Sequence, residues 1–168
     1  MYGKMLYSPK YLNAAFREGL HKRGYREKRA PYEVVLPGYP LKISGAFKQI
    51  DFVKGDVLVE VQFGKYAFMF YDMAKFQYFF NESKAEVGVE IVPCHGLYKE
   101  MSSGVSYGEQ LVGDILRLRR HFPAVPVKIV LVDVDEAPPI PDAEVEESEE
   151  EALSSEQADD LTLNAERD

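Results

Sequence analysis

Apolar and polar residues alternate most regularly over residues 56–63, where Val57, Val59, Val61 and Phe63 interleave with Asp56, Leu58, Glu60 and Gln62. Strand side chains change face with a period of two, so Glu60 and Gln62 share one face and the valines point into a core. A second β-rich run, residues 47–53, precedes it, and Lys54-Gly55 between the two reads as a two-residue turn. That turn pairs Asp51 with Leu58 and sets Asp51 diagonally from Glu60, roughly 7–8 Å away. The predicted hairpin thus gathers Asp51, Glu60 and Gln62 on one face of a sheet that is apolar on the other.

Elsewhere the period becomes helical. Ser8-Pro9 reads as an N-cap followed by proline at the first helical position, with Leu12, Ala15, Phe16 and Leu20 at helical spacing as far as Gly24. Residues 30–45 carry Pro31, Pro37, Gly38, Pro40 and Gly45 and read as an irregular approach with a short strand at 33–36. Past the hairpin, Met69, Met73, Phe76 and Phe80 form one helical stripe, a predicted core face. Phe68, Phe70, Tyr71, Tyr78 and Phe79 spread around the other sides. Such a helix is buried on several sides or sits at a subunit interface.

Val87, Val89 and Ile91 alternate as a strand, and residues 93–106 read as a loop. Ser106-Tyr107-Gly108-Glu109 has the form of a capping box, opening a helix with Leu111, Ile115 and Leu118 on one stripe. Residues 126–133 form a β-branched run with the look of a buried strand. This order predicts an α/β fold, a mixed central sheet flanked by helices on both faces.

Composition changes the picture at one end. The 168 residues suit a single domain with one real core. The net charge of −8 conceals two unlike parts. Residues 135–168 hold 14 acids and one base, whereas residues 1–134 hold 19 bases and 14 acids. The division expected is a folded unit over 1–134 and a disordered acidic tail over 135–168. The mildly basic body is compatible with a polyanionic partner. Lys22, Arg23, Arg26, Lys28 and Arg29 suit either a solvated helix end or DNA phosphates. Cys94 is the lone cysteine, which excludes a disulfide framework and a Cys-based zinc site. With no apolar run near the ~20 residues of a membrane span and no signal-peptide pattern, a cytoplasmic protein is expected.

The hairpin carries the candidate chemistry. A carboxylate beside a valine-rich core costs free energy unless it is paired or metal-bound. Magnesium, held by one or two carboxylates and a substrate phosphate, would meet that need. A solvated outer face is the alternative. The spacing Asp51, eight residues, Glu60, one residue, Gln62 resembles the site of the BglII/BstYI restriction endonucleases. These form a branch of the PD-(D/E)XK nucleases in which glutamine replaces the usual lysine. The similarity takes in Ile50-Asp51-Phe52, Lys54, Asp56, the run from Leu58 to Phe63, and Tyr66, and returns at Tyr107 with Glu109-Gln110.

The resemblance implies a restriction-endonuclease-like three-layer sandwich over residues 1–134. It implies a Mg²⁺-dependent type II enzyme that hydrolyses DNA phosphodiester bonds at a short palindromic site as a homodimer on double-stranded DNA. Asp51, Glu60 and the backbone carbonyl of Val61 would hold the metal. Gln62 can neither carry charge nor accept a proton at pH 7, so it would orient water or phosphate. Lys54, Lys99, Ser102 and Ser103 are the candidate DNA contacts, the last three in a loop that reaches DNA in the family. His95 in that loop is a candidate base or a solvated side chain. The sequence departs from the family at Leu36, where an asparagine near the attacking water is expected, and in its acidic tail. A PD-(D/E)XK nuclease of repair or defence without strict sequence reading, and a non-catalytic DNA-binding relative, are the other readings.

Overall fold

The computed structural model describes residues 7–134. The acidic stretch 135–168, expected to be disordered, lies outside them. Five strands form one sheet in chain order: β1 (Arg26–Val34), β2 (Ile43–Lys54), β3 (Val57–Val61), β4 (Val87–Pro93) and β5 (Val127–Val132). The first three are antiparallel neighbours, and β3, β4 and β5 run parallel. Parallel neighbours need crossovers, which here contain α2 (Tyr66–Asn81), then α3 (His95–Tyr98) and α4 (Gly108–Leu118). With α1 (Pro9–Lys22) at the start, the chain is an α/β protein with a mixed sheet between helical layers.

Each face of the sheet has its own core. Ile50, Leu58 and Val92 pack with Met69, Met73, Phe76 and Phe79 of α2 and Leu111 of α4. Phe52, Val59, Val61 and Ile91 pack on the other side with Phe63, Leu97 and the half-buried Leu12, Phe16 and Leu20 of α1. The expectation that Glu60 lies on a face opposite the apolar one is therefore corrected. Both faces of β3 are covered, by the crossover helices α2 and α4 on one side and by α1 with Leu97 on the other, and Glu60 is only 3% exposed.

The hairpin register is also corrected. Lys54 pairs with Val57, Val53 with Leu58 and Phe52 with Val59, so the turn residues are Gly55-Asp56 rather than Lys54-Gly55. Gly55 has φ 56° at the first turn position, where a side chain would be strained. The slip is two residues, which preserves faces. It moves Asp51 from a diagonal of Glu60 to the position directly across from it. A bulge adjusts the same spot. Arg26 pairs with Val53 and Lys28 with Ile50, leaving Asp51 and Phe52 to face Glu27 alone. The extra residue sends Ile50 and Phe52 into opposite cores and re-aims Asp51 between them.

Five further expectations change. β1 and β2 take the two ends of the expected irregular approach, 30–34 and 43–45, with Pro31 paired to Phe47, while residues 35–42 lie in no strand. An edge strand tolerates proline because one side needs no ladder hydrogen bond. On α2 the buried residue of the last turn is Phe79, while Phe80 is 36% exposed. Both satisfy helical spacing from Phe76, and the angle of α2 against β4 decides between them. The loop 93–106 contains α3, whose first turn is capped by Cys94 Sγ accepting from the Leu97 N–H. The capping box does not form: Tyr107 is the N-cap of α4, and Glu109 instead accepts from the His95 N–H at 2.9 and 3.0 Å. The strand at 126–133 exists as β5, an edge strand that is only half-buried, because among the described residues nothing pairs with its outer side.

Candidate active site

The site is built where the bulge of β2, the end of β3 and the middle of α2 meet. Extending the hairpin register one residue puts Asp51 across from Glu60. On the other side of β3, Glu60 pairs in register with Glu90 of β4. Neighbouring residues in register share a face, so Glu60 and Glu90 both point toward α2. From that helix Lys75 Nζ reaches Glu60 Oε1 at 2.5 Å and Asp72 Oδ1 at 2.7 Å. Gln62 Nε2 donates to Asp72 Oδ2 at 3.4 Å. The structure therefore joins Glu60 and Gln62 through a helix that the sequence reading assigned to core packing.

Charge is scarce relative to the acids. Glu60, Asp72 and Glu90 are 3%, 2% and 0% exposed, and Lys75 is the cation that reaches them. The Lys75 ammonium is the donor that faces Glu60 Oε1. Burial pushes the Glu60 carboxyl up to about 9, with the Asp72 charge and, more weakly, the Asp51 charge adding to the rise, and Lys75 opposing it by its charge and its hydrogen bond. Burial also raises Asp72 against the pull of Lys75 and the Gln62 amide. Burial pulls Lys75 down, but the charges of Glu60 and Asp72 outweigh it and hold the ammonium above the usual lysine range. Both acids move upward because one ammonium cannot compensate two buried carboxylates.

Glu90 is the extreme case. Neither of its oxygens has a hydrogen-bond donor. Burial first, then the charges of Asp72 and Glu60, raise it well above the ordinary range. Only its protonated form can hydrogen-bond in this setting, by donating to Asp72. Glu90→Gln keeps the shape and supplies a permanent donor, so it is expected to raise stability by about 1–3 kcal/mol near neutral pH. An acid raised in the folded state loses stability as pH climbs above its unfolded value. The gain should therefore be larger at pH 8 than at pH 5, and urea melts at both pH values give the comparison. No gain at either pH would mean that Glu90 has a partner.

Among the described residues, no group of three or more His, Cys, Asp or Glu side chains is set to hold a metal ion. A hard cation needing one or two carboxylates plus substrate oxygens fits what is present. Asp51 lies one step past the last paired residues of the hairpin, near enough for its charge to act on the buried Glu60. A cation there would meet the negative charge that Lys75 leaves uncompensated.

The candidate DNA contacts fall into two groups. Lys99, Ser102 and Ser103 line one concavity with Tyr98, Gly104 and Val105, beyond the C-terminal end of β4. Lys54 lies at the β2–β3 turn, at the other end of the sheet, where its ammonium donates to the Arg23 carbonyl at 2.8 Å. The basic cluster nearby is largely occupied by helix-end chemistry. Lys22 pairs with Glu18, Arg23 donates to the Gly19 carbonyl, and Arg26 donates to those of His21 and Tyr25. The His95 ring packs against Tyr98 and Tyr107. Leu36, at the position of the family's asparagine, is half exposed beyond the end of β1.

Asp72, Lys75 and Glu90 are the site residues that the sequence reading missed. Two signals were available. Asp72 lies between Met69 and Phe76 on the apolar stripe, and Glu90 interrupts an otherwise apolar strand.

The sequence model of the family described as restriction endonuclease BglII/BglIII matches residues 2–132. No curated protein sequence matches the chain. Among solved structures, restriction endonuclease BglII complexed with a DNA 16-mer is similar with a TM-score of 0.57 and 21% identity, over 78% of this chain and 58% of that one. Free BglII gives a TM-score of 0.54 and 20% identity, over 79% of this chain and 62% of that one. The chain thus spans about three fifths of the BglII chains it resembles. At these identities the likeness is one of fold.

Proposed function

The chain belongs to the BglII/BglIII restriction endonuclease family, and from that premise we propose that it is a type II restriction endonuclease cleaving double-stranded DNA at a short palindromic site with Mg²⁺. What supports the reading is the buried Glu60 of β3, with Asp51 one step past the paired residues of the hairpin and near enough for its charge to act on Glu60. The nuclease unit is assigned to residues 1–134, acting in the cytoplasm. No helix among the described residues is long and apolar enough to cross a membrane.

Asp51, Glu60 and the Val61 carbonyl would hold the cation. When bound, Mg²⁺ acidifies water and neutralises charge developing on the phosphate. Glu60 is the group to take a proton from the attacking water or to orient it. Gln62 is tethered to Asp72 and presents a neutral amide, suited to aligning water or a phosphate oxygen. Lys99, Ser102, Ser103 and Lys54 are assigned to DNA contact. A palindrome presents two identical half-sites, which a two-fold homodimer reads symmetrically.

The test is incubation of the full chain with long unmethylated DNA, with Mg²⁺ and with EDTA. Discrete Mg²⁺-dependent bands are expected. A smear would make it a nuclease without strict sequence reading. Retained DNA binding with no cleavage would make it a non-catalytic relative.

A further inference from the structure

We propose that Lys75 is a positioning residue of the cleavage site: bridging Glu60 and Asp72 from α2, it holds the Glu60 carboxylate facing Asp51. The inference rests on the nuclease reading of Glu60 and goes beyond it to a residue of another element.

Lys75 is unusual for a lysine on a packed helix. Its side chain is 12% exposed, and its ammonium lies within 2.7 Å of carboxylates from two elements, β3 and α2. Lysines are almost never so buried unless paired. A lysine needed only for solubility would extend past Tyr71 to solvent, since that ring is itself 47% exposed. Instead the ammonium turns inward, 5.8 Å from the Tyr71 ring centroid. Glu60 has no other positive neighbour among its charged contacts. Lys75 Nζ lies 2.5 Å from Glu60 Oε1, so the ion pair, with the strand backbone, sets the carboxylate's direction.

The neighbouring amide completes the arrangement. Gln62 donates to Asp72 Oδ2 while Lys75 pairs with Asp72 Oδ1. Asp72 therefore joins the two side chains that flank the metal-binding acids, and Lys75 carries this order from α2 to Glu60. The strand position two residues after Glu60 offers only a neutral amide, so the positive charge at this acid face comes from the helix.

The test is a charge-balanced pair of substitutions in the full chain. Lys75→Gln alone leaves buried acids uncompensated and can unfold the protein. D72N/K75Q removes one negative and one positive charge together and keeps both shapes near the originals. It is compared with wild type and with Lys75→Arg, which retains the charge. The measurements are thermal melting, Mn²⁺ binding without DNA, and single-turnover cleavage with Mg²⁺. The double variant is expected to fold, to bind Mn²⁺ at least about fivefold more weakly and to cleave about 100-fold more slowly, with Lys75→Arg recovering most of the rate. A folded double variant matching wild type in both Mn²⁺ affinity and rate overturns the proposal. So does one that no longer folds, because Lys75 then belongs to the core. If wild type itself neither binds Mn²⁺ nor cleaves DNA, the nuclease reading has failed first, and the positioning role with it.

Discussion

Glu60→Gln is expected to slow single-turnover cleavage at least about 10³-fold, a loss of about 4 kcal/mol of transition-state stabilisation. The substitution changes one atom and removes one charge. A glutamine cannot accept a proton from water at neutral pH and is a poor ligand for a hard cation. Folding should not suffer. Burial already opposes the Glu60 charge, and Lys75 retains Asp72. The melting temperature of E60Q is therefore expected to equal or exceed that of wild type. DNA affinity measured with Ca²⁺ in place of Mg²⁺ should change by no more than about threefold, since phosphate contacts elsewhere dominate it. A folded E60Q enzyme that cleaves within tenfold of wild type would remove Glu60 from the chemistry. Loss of folding would assign it to the core.

What could be read from the sequence follows from how local each signal is. The alternation from Val57 to Phe63, the stripe Met69–Met73–Phe76 and the strand at β4 depend on neighbours two to four positions away, and all three elements formed. The two-residue error in the hairpin turn left the site intact, because faces repeat every two residues. β1 escaped notice because Pro31 argues against a central strand, and only pairing with β2 shows that it is an edge. The capping box failed for a similar reason. Glu109 had a better donor in His95, fourteen positions away in sequence and invisible to local spacing.

The site divides along the same line. Asp51, Glu60 and Gln62 lie within one hairpin and its exit, so a short motif exposes them. Asp72 and Lys75 become part of it only when α2 folds back across β3, and Glu90 only when β4 docks beside β3. An acid on an apolar stripe is ambiguous in sequence: it fits a helix turned slightly to expose it, or a buried site. The β2 bulge is equally hidden, since it arises from a mismatch between two strands rather than from either alone.

The geometry of the site therefore depends on how α2 sits on the sheet, and Phe76 is where that packing is most tightly determined. Its ring is fully buried next in sequence to Lys75 and one turn from Asp72. Against it lies Gly88 of β4, where an added Cβ would come within 2.5 Å of Phe76 Cδ2. The glycine makes room for the ring. Phe76→Ala is expected to cost about 3–5 kcal/mol, a large share of the 5–15 kcal/mol that holds a typical domain folded. Gly88→Ala should cost about 1–3 kcal/mol by overpacking, since the ring cannot leave a full core. If ring and glycine share one space, a smaller side chain relieves the second change. G88A in a Phe76→Leu background should then cost about 1 kcal/mol less than in wild type, a coupling within the usual range for residues in contact. Urea melts of the four proteins give the cycle directly, with equal m-values showing that all unfold alike. Additive costs would mean that α2 rests on β4 through other contacts. Coupled costs, with F76L cleaving more slowly than its stability loss explains, would tie the position of Lys75 and Asp72 to this single helix–strand contact.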